Sequence, residues 1–260
     1  MSRTAVITGA TSGIGHEFAR LLAADGFDLV IVGRNAARLD AAKHEFEAEY
    51  GIAVMPIEAD LSKDGEADRV YAAVNAAGLD ADILINNAGA GDYGRFVDIP
   101  WDKERSIAGL NMISVMRLMQ LFAADMERRG GGKILNLSSI AAYMPGPYMP
   151  MYYASKSFVY SLSQAVAKEM EGTGVTVTCL CPGPTATNFE KEANMGKSNR
   201  MFTFFRPMTA ADVAMEGYRA MQRGEVVHTT RPYYKILKLA CRLAPERWKR
   251  DLTKKINAGK

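Results

Sequence analysis

The 260-residue chain has few of the residues that build disulfide scaffolds, metal centres or membrane spans. Its three cysteines, Cys179, Cys181 and Cys241, are too few and odd in number for a disulfide framework, and they suit a reducing cytoplasm. No run of about 18 uncharged apolar residues occurs, so we expect no membrane-spanning helix. The first glycine turn begins at Gly9, which is too early for a signal peptide.

The composition is that of a globular protein, with 48% hydrophobic and 23% charged residues, which excludes a disordered chain. The net charge of +3 hides an asymmetry. Residues 231–260 contain ten Lys/Arg and two Asp/Glu, a charge of +8, which leaves 22 Lys/Arg against 27 Asp/Glu, or −5, for residues 1–230. A basic C-terminal segment indicates an anionic partner or, alternatively, a solvated helix face.

Short apolar runs alternate with segments of helical periodicity over the first 230 residues. This alternation predicts an α/β fold with a doubly wound parallel sheet covered on both faces, in a single domain over residues 1–230 with a helical basic extension over 231–260. The predicted strands are 5–8, 29–32, 53–57, 83–86, 133–137 and 175–181. The predicted helices lie near 13–25, 36–50, 63–77, 103–129, 151–171 and 211–222.

Two stretches interrupt the alternation. Residues 140–151 are rich in proline and apolar side chains, and residues 189–209 form a long insertion with several Met and Phe. Because ligands of α/β sheets bind beyond the carboxyl ends of strands, we interpret both as walls of a pocket; loops folded onto the core are the alternative. The candidate pocket residues are Tyr143, Met144, Tyr148, Met149, Met151, Phe189, Met201 and Phe202.

A glycine-rich turn, Thr8-Gly-Ala-Thr-Ser-Gly-Ile-Gly15, joins the first predicted strand to the first helix. Glycines at this place allow a diphosphate to approach the free N–H groups of the helix N-terminus. The turn is not a P-loop, because His16 stands where a Lys-Ser/Thr pair would be needed. The predicted ligand is therefore a dinucleotide.

The end of the second strand distinguishes the two nicotinamide cofactors. NAD binders carry an acidic residue there, whereas an arginine accommodates the 2′-phosphate of NADP. The sequence is Val32-Gly-Arg34-Asn35, without a carboxylate, and a guanidinium makes forked hydrogen bonds to phosphate. We predict NADP(H), with Arg34 as an incidental surface charge the alternative.

The sequence Tyr152-Tyr-Ala-Ser-Lys156 opens a predicted helix and places a phenol and an ammonium group on one face. An adjacent ammonium is expected to lower the pKa of the phenol and suit it to acid–base work on a carbonyl or alcohol. Ser139 ends the fifth strand thirteen residues earlier. Tyr153 and Ser138 compete with Tyr152 and Ser139 for these roles.

These motifs resemble the short-chain dehydrogenase/reductase family over roughly residues 4–230, and the family spacing selects Tyr152 and Ser139. The resemblance rests on the glycine-rich turn, Asp60, Asn86-Asn-Ala-Gly89, Asn111, Ser139, Tyr152/Lys156 and Pro182-Gly-Pro-Thr-Ala-Thr187. It implies an oxidoreductase that uses NADP(H), no metal, and forms a homodimer or homotetramer through the helices near 103–129 and 151–171.

The resemblance also implies a role for each matching residue. Tyr152 would be the general acid or base, Ser139 would orient the carbonyl oxygen, and Lys156 would hold the nicotinamide ribose. Asn111, in a locally interrupted helix, would hold a water connecting Lys156 to solvent. The implied cofactor contacts are Gly9, Thr11, Ser12, Gly13, Ile14, Gly15, Arg34, Asp60, Leu61, Asn87, Ala88, Gly89, Tyr152, Lys156, Pro182, Gly183, Thr185 and Thr187.

The leading functional hypothesis is transfer of a hydride between NADP(H) and a ketone or secondary alcohol on a bulky apolar substrate, steroid-like or 3-ketoacyl-like. The Met and aromatic residues of the predicted pocket favour such a substrate, because they adapt to irregular hydrocarbon shapes. The alternative is an NADP(H)-binding sensor without turnover, which the loss of Tyr152 or Lys156 would have favoured.

The C-terminal segment has the pattern of an amphipathic helix, with Ile236, Leu239 and Leu243 at helical spacing and Lys235, Lys238 and Arg242 on another face. Pro245 should end this helix. The pattern is typical of an interfacial membrane helix, but a helix packed over the pocket or in a subunit interface would bury the same apolar face. We expect no nucleic-acid partner.

Overall fold

The computed structural model describes residues 3–194 and 206–258. Its centre is a parallel sheet with the strand order β3-β2-β1-β4-β5-β6-β9. The strands of this sheet are β1 (Thr4–Thr8), β2 (Asp28–Gly33), β3 (Val54–Glu58), β4 (Ala81–Asn86), β5 (Gly132–Leu137), β6 (Val175–Cys181) and β9 (Val227–Thr229). A second parallel pair is formed by β7 (Thr185–Ala186) and β8 (Met208–Thr209). The order reverses between β1 and β4, which confirms the doubly wound prediction.

Helices cover both faces of the sheet, with short 3₁₀ turns at Phe96–Asp98 and Ile140–Tyr143. The α-helices are α1 (Gly13–Ala24), α2 (Ala36–Tyr50), α3 (Glu66–Ala76), α4 (Trp101–Ala108), α5 (Ser114–Arg128), α6 (Pro150–Glu169), α7 (Phe189–Glu192), α8 (Ala210–Gln222), α9 (Pro232–Leu243) and α10 (Glu246–Asn257). Most predicted boundaries agree with these within three residues.

The continuous apolar runs of the strands have a structural reason, because each of the strands β1 to β6 contributes to two cores. Successive side chains point to opposite faces, so Ile7 packs with Phe18 on one side while Val6 packs with Phe122 on the other. All residues of β1 are buried. A sheet covered on both faces requires this pattern instead of simple alternation.

The helix over Trp101–Arg128 contains a π-helical turn at Gly109–Ile113, between α4 and α5. The backbone passes so close to Ser62 that a Cβ on Gly109 would overlap the Ser62 carbonyl oxygen. Among the described residues this is the one helix long and apolar enough to cross a membrane by length and composition, and half of its most apolar window is buried. Its apolar side packs on the sheet, which identifies it as a core helix.

The sequence analysis missed the short strands β7, β8 and β9 and the helices α7 and α10. The edge strand β9 has only three residues, too few to show a periodic pattern. The C-terminal extension forms two helices instead of one: α9 ends before Pro245, as predicted, and α10 begins directly after it.

The C-terminal helices are fixed to the core by specific contacts, the first of which is made by Tyr234. This side chain is fully buried and lies against Gly183, where an added Cβ would overlap its ring. Near by, Tyr143 and Thr229 share a hydrogen bond of 2.7 Å, and Lys238 Nζ lies 5.8 Å from the centre of the Tyr143 ring. The loop after β6 and helix α9 therefore pack as one unit.

The substitution Gly183→Ala tests this packing. We expect it to displace Tyr234, to lower the unfolding free energy by about 1–3 kcal/mol and to expose residues 231–258 to protease. The measurements are thermal unfolding by circular dichroism and limited trypsin digestion with mass spectrometry. The control is Gly131→Ala, where the new Cβ would lie 3.4 Å from the Gly174 carbonyl oxygen and be tolerated. Equal behaviour of the two variants would contradict the prediction.

Candidate active site

The loops that follow β1, β2, β4, β5 and β6 surround a cavity of about 940 Å³. Because the strands are parallel, their carboxyl ends all reach this edge of the sheet, on both sides of the switch point. The cavity brings together most of the predicted site residues: Gly9, Thr11, Ser12, Gly13, Ile14, Arg34, Leu61, Asn87, Ala88, Gly89, Ser139, Met144, Met149, Tyr152, Lys156, Pro182, Gly183, Thr185, Thr187 and Phe189.

The glycine-rich turn is shaped for close approach by a ligand. Gly9 and Gly13 have φ of 69° and 57°, a conformation that favours glycine. A Cβ on Gly15 would overlap the Gly9 carbonyl oxygen, so Gly15 lies under the turn and does not line the cavity. Helix α1 begins after Ser12, whose side chain makes no capping hydrogen bond, so its first N–H groups are available to an anion.

The end of β1 is tied to the end of β4 by Thr8, a residue that the prediction placed in the motif but gave no role. Its hydroxyl oxygen accepts hydrogen bonds from the backbone N–H groups of Asn87 and Ala88, both at 3.0 Å. In return, Asn87 Nδ2 donates to the Thr8 carbonyl at 2.9 Å. These bonds hold the two loops at the switch point in a fixed arrangement.

The end of β2 offers cations and no carboxylate to the cavity. Arg34, Asn35 and Arg38 line it, and Arg34 is exposed to solvent. Helix α2 is capped by Asn35, whose Oδ1 accepts from the Arg38 N–H at 2.9 Å, which fixes the course of the chain beside Arg34. This arrangement suits a phosphate group.

Asp60 departs from the prediction, because it does not line the cavity although its neighbour Leu61 does. Its Oδ1 accepts hydrogen bonds from the Ser62 N–H at 3.2 Å and from Ser62 Oγ at 2.7 Å. Burial works to raise the pKa of Asp60, but these bonds and the charge of Arg34 hold it below its ordinary value. The carboxylate therefore shapes the loop after β3.

Ser139 and Tyr152 meet at the wall of the cavity. The Ser139 Oγ accepts a hydrogen bond from the Ala141 N–H at 3.1 Å, and both Ser139 and Tyr152 line the cavity. Burial raises the pKa of Tyr152, and the neighbouring Ser139 hydroxyl opposes this shift. The Tyr152 hydroxyl consequently retains its proton at neutral pH and can donate it.

Lys156 is a buried cation behind Tyr152. Its Nζ donates to the Leu137 carbonyl at 2.8 Å and lies 5.7 Å from the centre of the Tyr152 ring. Burial lowers the pKa of Lys156 to about 8. The sequence predicted that this ammonium lowers the pKa of Tyr152, but that pKa is raised, because burial has the largest effect on it. The ammonium itself is hydrogen-bonded to the Leu137 carbonyl.

The two competing residues are engaged in other contacts. Ser138 Oγ donates to the Lys156 carbonyl at 2.8 Å, so this hydroxyl holds α6 against β5. The Tyr153 hydroxyl faces Asn257, with Oδ1 of that residue at 3.4 Å. The geometry thus favours Tyr152 and Ser139, as the family spacing does.

Asn111, in the π-helical turn, is buried and outside the cavity lining. Its Oδ1 accepts from the Ala90 N–H at 2.9 Å, and its Nδ2 donates to the Ala90 carbonyl at 2.8 Å and to Ser155 Oγ at 3.0 Å. A Cβ on Gly89 would lie 3.4 Å from both Asn111 Oδ1 and Lys156 Nζ. Asn111 therefore connects the loop after β4 to α6, and its implied water-holding role stays a prediction.

The substrate side of the cavity contains three of the predicted pocket residues, Met144, Met149 and Phe189. The Phe189 ring lies 5.1 Å from the Tyr152 ring, centre to centre. Gly91 leaves the space that Phe189 occupies, since a Cβ there would come within 2.8 Å of the ring. The wall next to the reacting hydroxyl is therefore apolar.

Other predicted pocket residues do not line the cavity. Tyr143 is buried against β9 by its bond to Thr229. Tyr148 stacks on Tyr93 with ring centres 6.0 Å apart. Met151 precedes Tyr152 in α6 and is not among the lining residues. Met201 and Phe202 lie outside the described residues.

The C-terminal helices close the substrate side of the cavity. Their lining residues are Leu237, Ala240, Cys241, Ala244, Trp248, Lys249, Leu252, Thr253 and Ile256. The apolar face predicted from the sequence, Ile236, Leu239 and Leu243, stays exposed, and a different side of α9 lines the cavity. The periodicity alone therefore could not assign these residues to the site.

Asn257, in the last turn of α10, is fully buried and was not predicted. Its Nδ2 donates to the Pro147 carbonyl at 2.9 Å, and its backbone carbonyl accepts from the Tyr93 hydroxyl at 2.7 Å. Together with the contact to Tyr153, these bonds join three walls of the cavity. A single asparagine has no sequence pattern that would reveal such a role.

Comparisons with known proteins agree with this geometry. The family model described as short chain dehydrogenase matches residues 3–198. The 7beta-hydroxysteroid dehydrogenase of Collinsella aerofaciens is 32% identical over 182 residues, which are 70% of this chain and 68% of that protein. The very-long-chain 3-oxoacyl-CoA reductase of Pyrenophora tritici-repentis is 36% identical over 180 residues, 68% of this chain. The match spans 53%, about half, of that longer relative.

A solved structure extends the similarity to nearly the whole chain. The short-chain dehydrogenase from Sphingobium yanoikuyae in complex with NADPH has a TM-score of 0.83 and 30% sequence identity. The alignment covers 92% of this chain and 94% of that one. The structural similarity therefore extends beyond residues 3–198, the part matched by the family model.

Asn257→Ala tests whether α10 holds the substrate loop. The loss of the Asn257 amide leaves the partly buried Pro147 carbonyl without its hydrogen-bond donor, which should lower the unfolding free energy by about 1–3 kcal/mol. We expect faster hydrogen exchange at the Met149 amide, which donates to the Gly146 carbonyl at 3.1 Å. The control is Lys255→Ala, an exposed position of the same helix. Identical exchange over residues 144–149 in both variants would contradict the role of Asn257.

Proposed function

The chain belongs to the short-chain dehydrogenase/reductase family, and we propose that it transfers a hydride between NADP(H) and a ketone or secondary alcohol on a bulky apolar substrate. The observation that carries the proposal is the meeting of Ser139, Tyr152 and the buried Lys156 in the same cavity as the glycine-rich turn. The family match and the NADPH complex of the similar structure support the oxidoreductase class and the cofactor.

The residues of the cavity fit NADP(H). The uncapped N-terminus of α1 and the glycines of the turn would hold the diphosphate, and Arg34 would pair with the 2′-phosphate. Lys156 would hold the nicotinamide ribose, while Thr185 and Thr187, which also line the cavity, would hold the carboxamide end. When bound, the cofactor supplies the hydride.

The protein supplies the proton. In reduction, Tyr152 donates its hydroxyl proton to the carbonyl oxygen as that oxygen gains negative charge, and Ser139 positions the oxygen by a hydrogen bond. The raised pKa of Tyr152 keeps this proton in place at neutral pH. In the reverse direction the same group accepts the proton from the alcohol. Loss of the Lys156 proton near its pKa of about 8 would remove the adjacent positive charge in alkaline solution.

The substrate class follows from the walls of the cavity. Met144, Met149 and Phe189 on one side and the apolar residues of α9 and α10 on the other would enclose a large hydrocarbon group. One similar protein is a hydroxysteroid dehydrogenase and another a 3-oxoacyl-CoA reductase. A steroid or bile-acid ketone and a 3-ketoacyl thioester are therefore the compounds to compare first.

The sensor hypothesis is less well supported. A protein that binds the cofactor without turnover has no need of an acid at the substrate wall, yet Ser139, Tyr152 and Lys156 lie together there. The family match also favours an enzyme.

Three further features belong to the proposal. A homodimer or homotetramer is supported by exposed apolar side chains on the helix Trp101–Arg128, namely Trp101, Ile113 and Met116. A reducing, cytoplasmic location is consistent with three free cysteines. Residues 1–230 would form the catalytic domain, and residues 231–260 would close the pocket and make peripheral contact with a membrane.

Tyr152→Phe tests the reaction. It removes one hydroxyl, so turnover in NADPH oxidation with a panel of steroid and 3-ketoacyl ketones should fall by about 10² or more, while NADPH affinity persists. The matched control is Tyr153→Phe, which removes a hydroxyl that donates to Asn257 Oδ1, and it should retain turnover. Near wild-type turnover of Tyr152→Phe would exclude this residue as the acid. NADPH binding without oxidation by any ketone would favour the sensor.

Arg34→Asp tests cofactor choice. The new carboxylate would repel the 2′-phosphate, so the Kd for NADPH should rise by about tenfold or more, equivalent to 1.4 kcal/mol, while the Kd for NADH changes less. The measurement is fluorescence titration of both cofactors. Arg95→Asp makes the same charge change at an exposed position outside the cavity lining and serves as the control. An equal effect on both cofactors would show that Arg34 is not the selector.

A further inference from the structure

Helix α9 is apolar on two opposite sides. Tyr234 and Cys241 face the core and are buried. Ile236, Leu239 and Leu243, on the opposite side, are 68%, 58% and 76% exposed. Spacings of three and four residues place them in one stripe. One apolar face is thus covered by the protein and the other is bare.

Helix α10 carries a second bare apolar pair. Trp248 and Leu252 are 69% and 55% exposed, and they are one helical turn apart. Both also line the cavity, so they form its rim. Thr253 and Asn257 anchor the opposite side of this helix in the core. We call these five exposed side chains of α9 and α10 the outer face: Ile236, Leu239, Leu243, Trp248 and Leu252.

The outer face lies within a strongly cationic segment. Over residues 231–258 there are nine Lys/Arg and two Asp/Glu. The two acidic residues are paired within α10, Glu246 with Lys249 and Asp251 with Arg247. Among the described residues, Lys235, Arg242 and Arg250 are exposed and have no ion pair. Bulky apolar residues flanked by free cations are the pattern of a helix that lies in the surface of an anionic bilayer.

Other possible partners of the outer face explain fewer of these observations. A second copy packed isologously would bring two segments of charge +8 against each other. A nucleic acid would pair with the cations but leave Ile236, Leu239 and Leu243 without an apolar partner. Solvent alone leaves the stripe unexplained, because continuous bare apolar surface marks an interaction site.

We propose that the outer face of α9 and α10 docks on an anionic lipid bilayer, with the rim of the substrate cavity at the bilayer surface. This deepens the proposed function by naming the lipid partner and the face that meets it. The docking itself rests on the exposed side chains and charges of residues 231–258. Delivery of an apolar ketone from the bilayer through the Trp248–Leu252 rim rests in addition on the proposed reaction.

The test of docking is co-sedimentation of the full chain with vesicles of phosphatidylcholine alone and of phosphatidylcholine with 40% phosphatidylglycerol, at low and high salt. We expect binding to the anionic vesicles that weakens at least tenfold in high salt, since salt screens the attraction between the free cations and the anionic headgroups. The variants Ile236→Gln/Leu239→Gln/Leu243→Gln and Lys235→Glu/Arg242→Glu/Arg250→Glu should each weaken binding at least tenfold. None of these six residues lines the cavity, so NADPH affinity and turnover of a water-soluble ketone should be retained.

The matched control is Phe96→Gln/Val97→Gln, which removes two exposed apolar side chains that do not belong to the outer face and should bind vesicles as the wild type does. No sedimentation with anionic vesicles, or equal binding to both vesicle types, would overturn the proposal. So would a concentration-dependent dimer, seen without lipid by analytical ultracentrifugation, that the apolar triple variant abolishes.

Delivery is tested separately by the KM for a long-chain ketone presented in anionic vesicles. The apolar triple variant should raise this KM several-fold without changing the KM for a water-soluble ketone. An unchanged KM would refute delivery. Failure of the proposed reaction would leave the sedimentation result intact, because docking is measured without substrate or cofactor.

Discussion

The site depends on the junction between β5 and α6, where three hydrogen bonds hold helix and strand in register. Ser138 Oγ donates to the Lys156 carbonyl, Lys156 Nζ donates to the Leu137 carbonyl, and Asn136 Nδ2 donates to Ser163 Oγ at 2.9 Å. With this register fixed, a residue at the end of β5 and one in the first turn of α6 must meet. The contact between Ser139 and Tyr152 is the result. The price of burying a lysine is reduced because its ammonium keeps a carbonyl partner.

Buried polar side chains also join other neighbouring elements of the fold by hydrogen bonds. Asn86 Nδ2, at the end of β4, donates to Asn136 Oδ1 on β5 at 2.9 Å, and Asn111 links Ala90 to Ser155. These side chains are buried, so their bonds are worth more than they would be in water, and losing one partner would leave an unsatisfied group in the core. Amide side chains therefore connect the cofactor side to the catalytic helix.

The sequence could predict those features of the site whose residues are close together in the chain. The glycine-rich turn lies between a strand and a helix, Tyr152 and Lys156 are one turn apart, and the alternation of strands and helices defines a parallel sheet. Long-range contacts were beyond such reasoning. Tyr143 was assigned to the cavity, but it bonds to Thr229 of β9. This contact could not be predicted, because a strand of three residues leaves no pattern in the sequence. The direction of the Tyr152 pKa shift depends on burial, which spacing does not reveal.

The C-terminal helices touch both halves of the cavity, and this has a thermodynamic consequence. Tyr234 packs on Gly183 in the loop on the cofactor side, while Asn257 holds Pro147 and Tyr153 on the substrate side. If the segment opens, both walls lose their support together. A ligand that stabilises either wall therefore shifts the open–closed equilibrium in favour of the other ligand, and the coupling free energy is the same whichever of the two binds first.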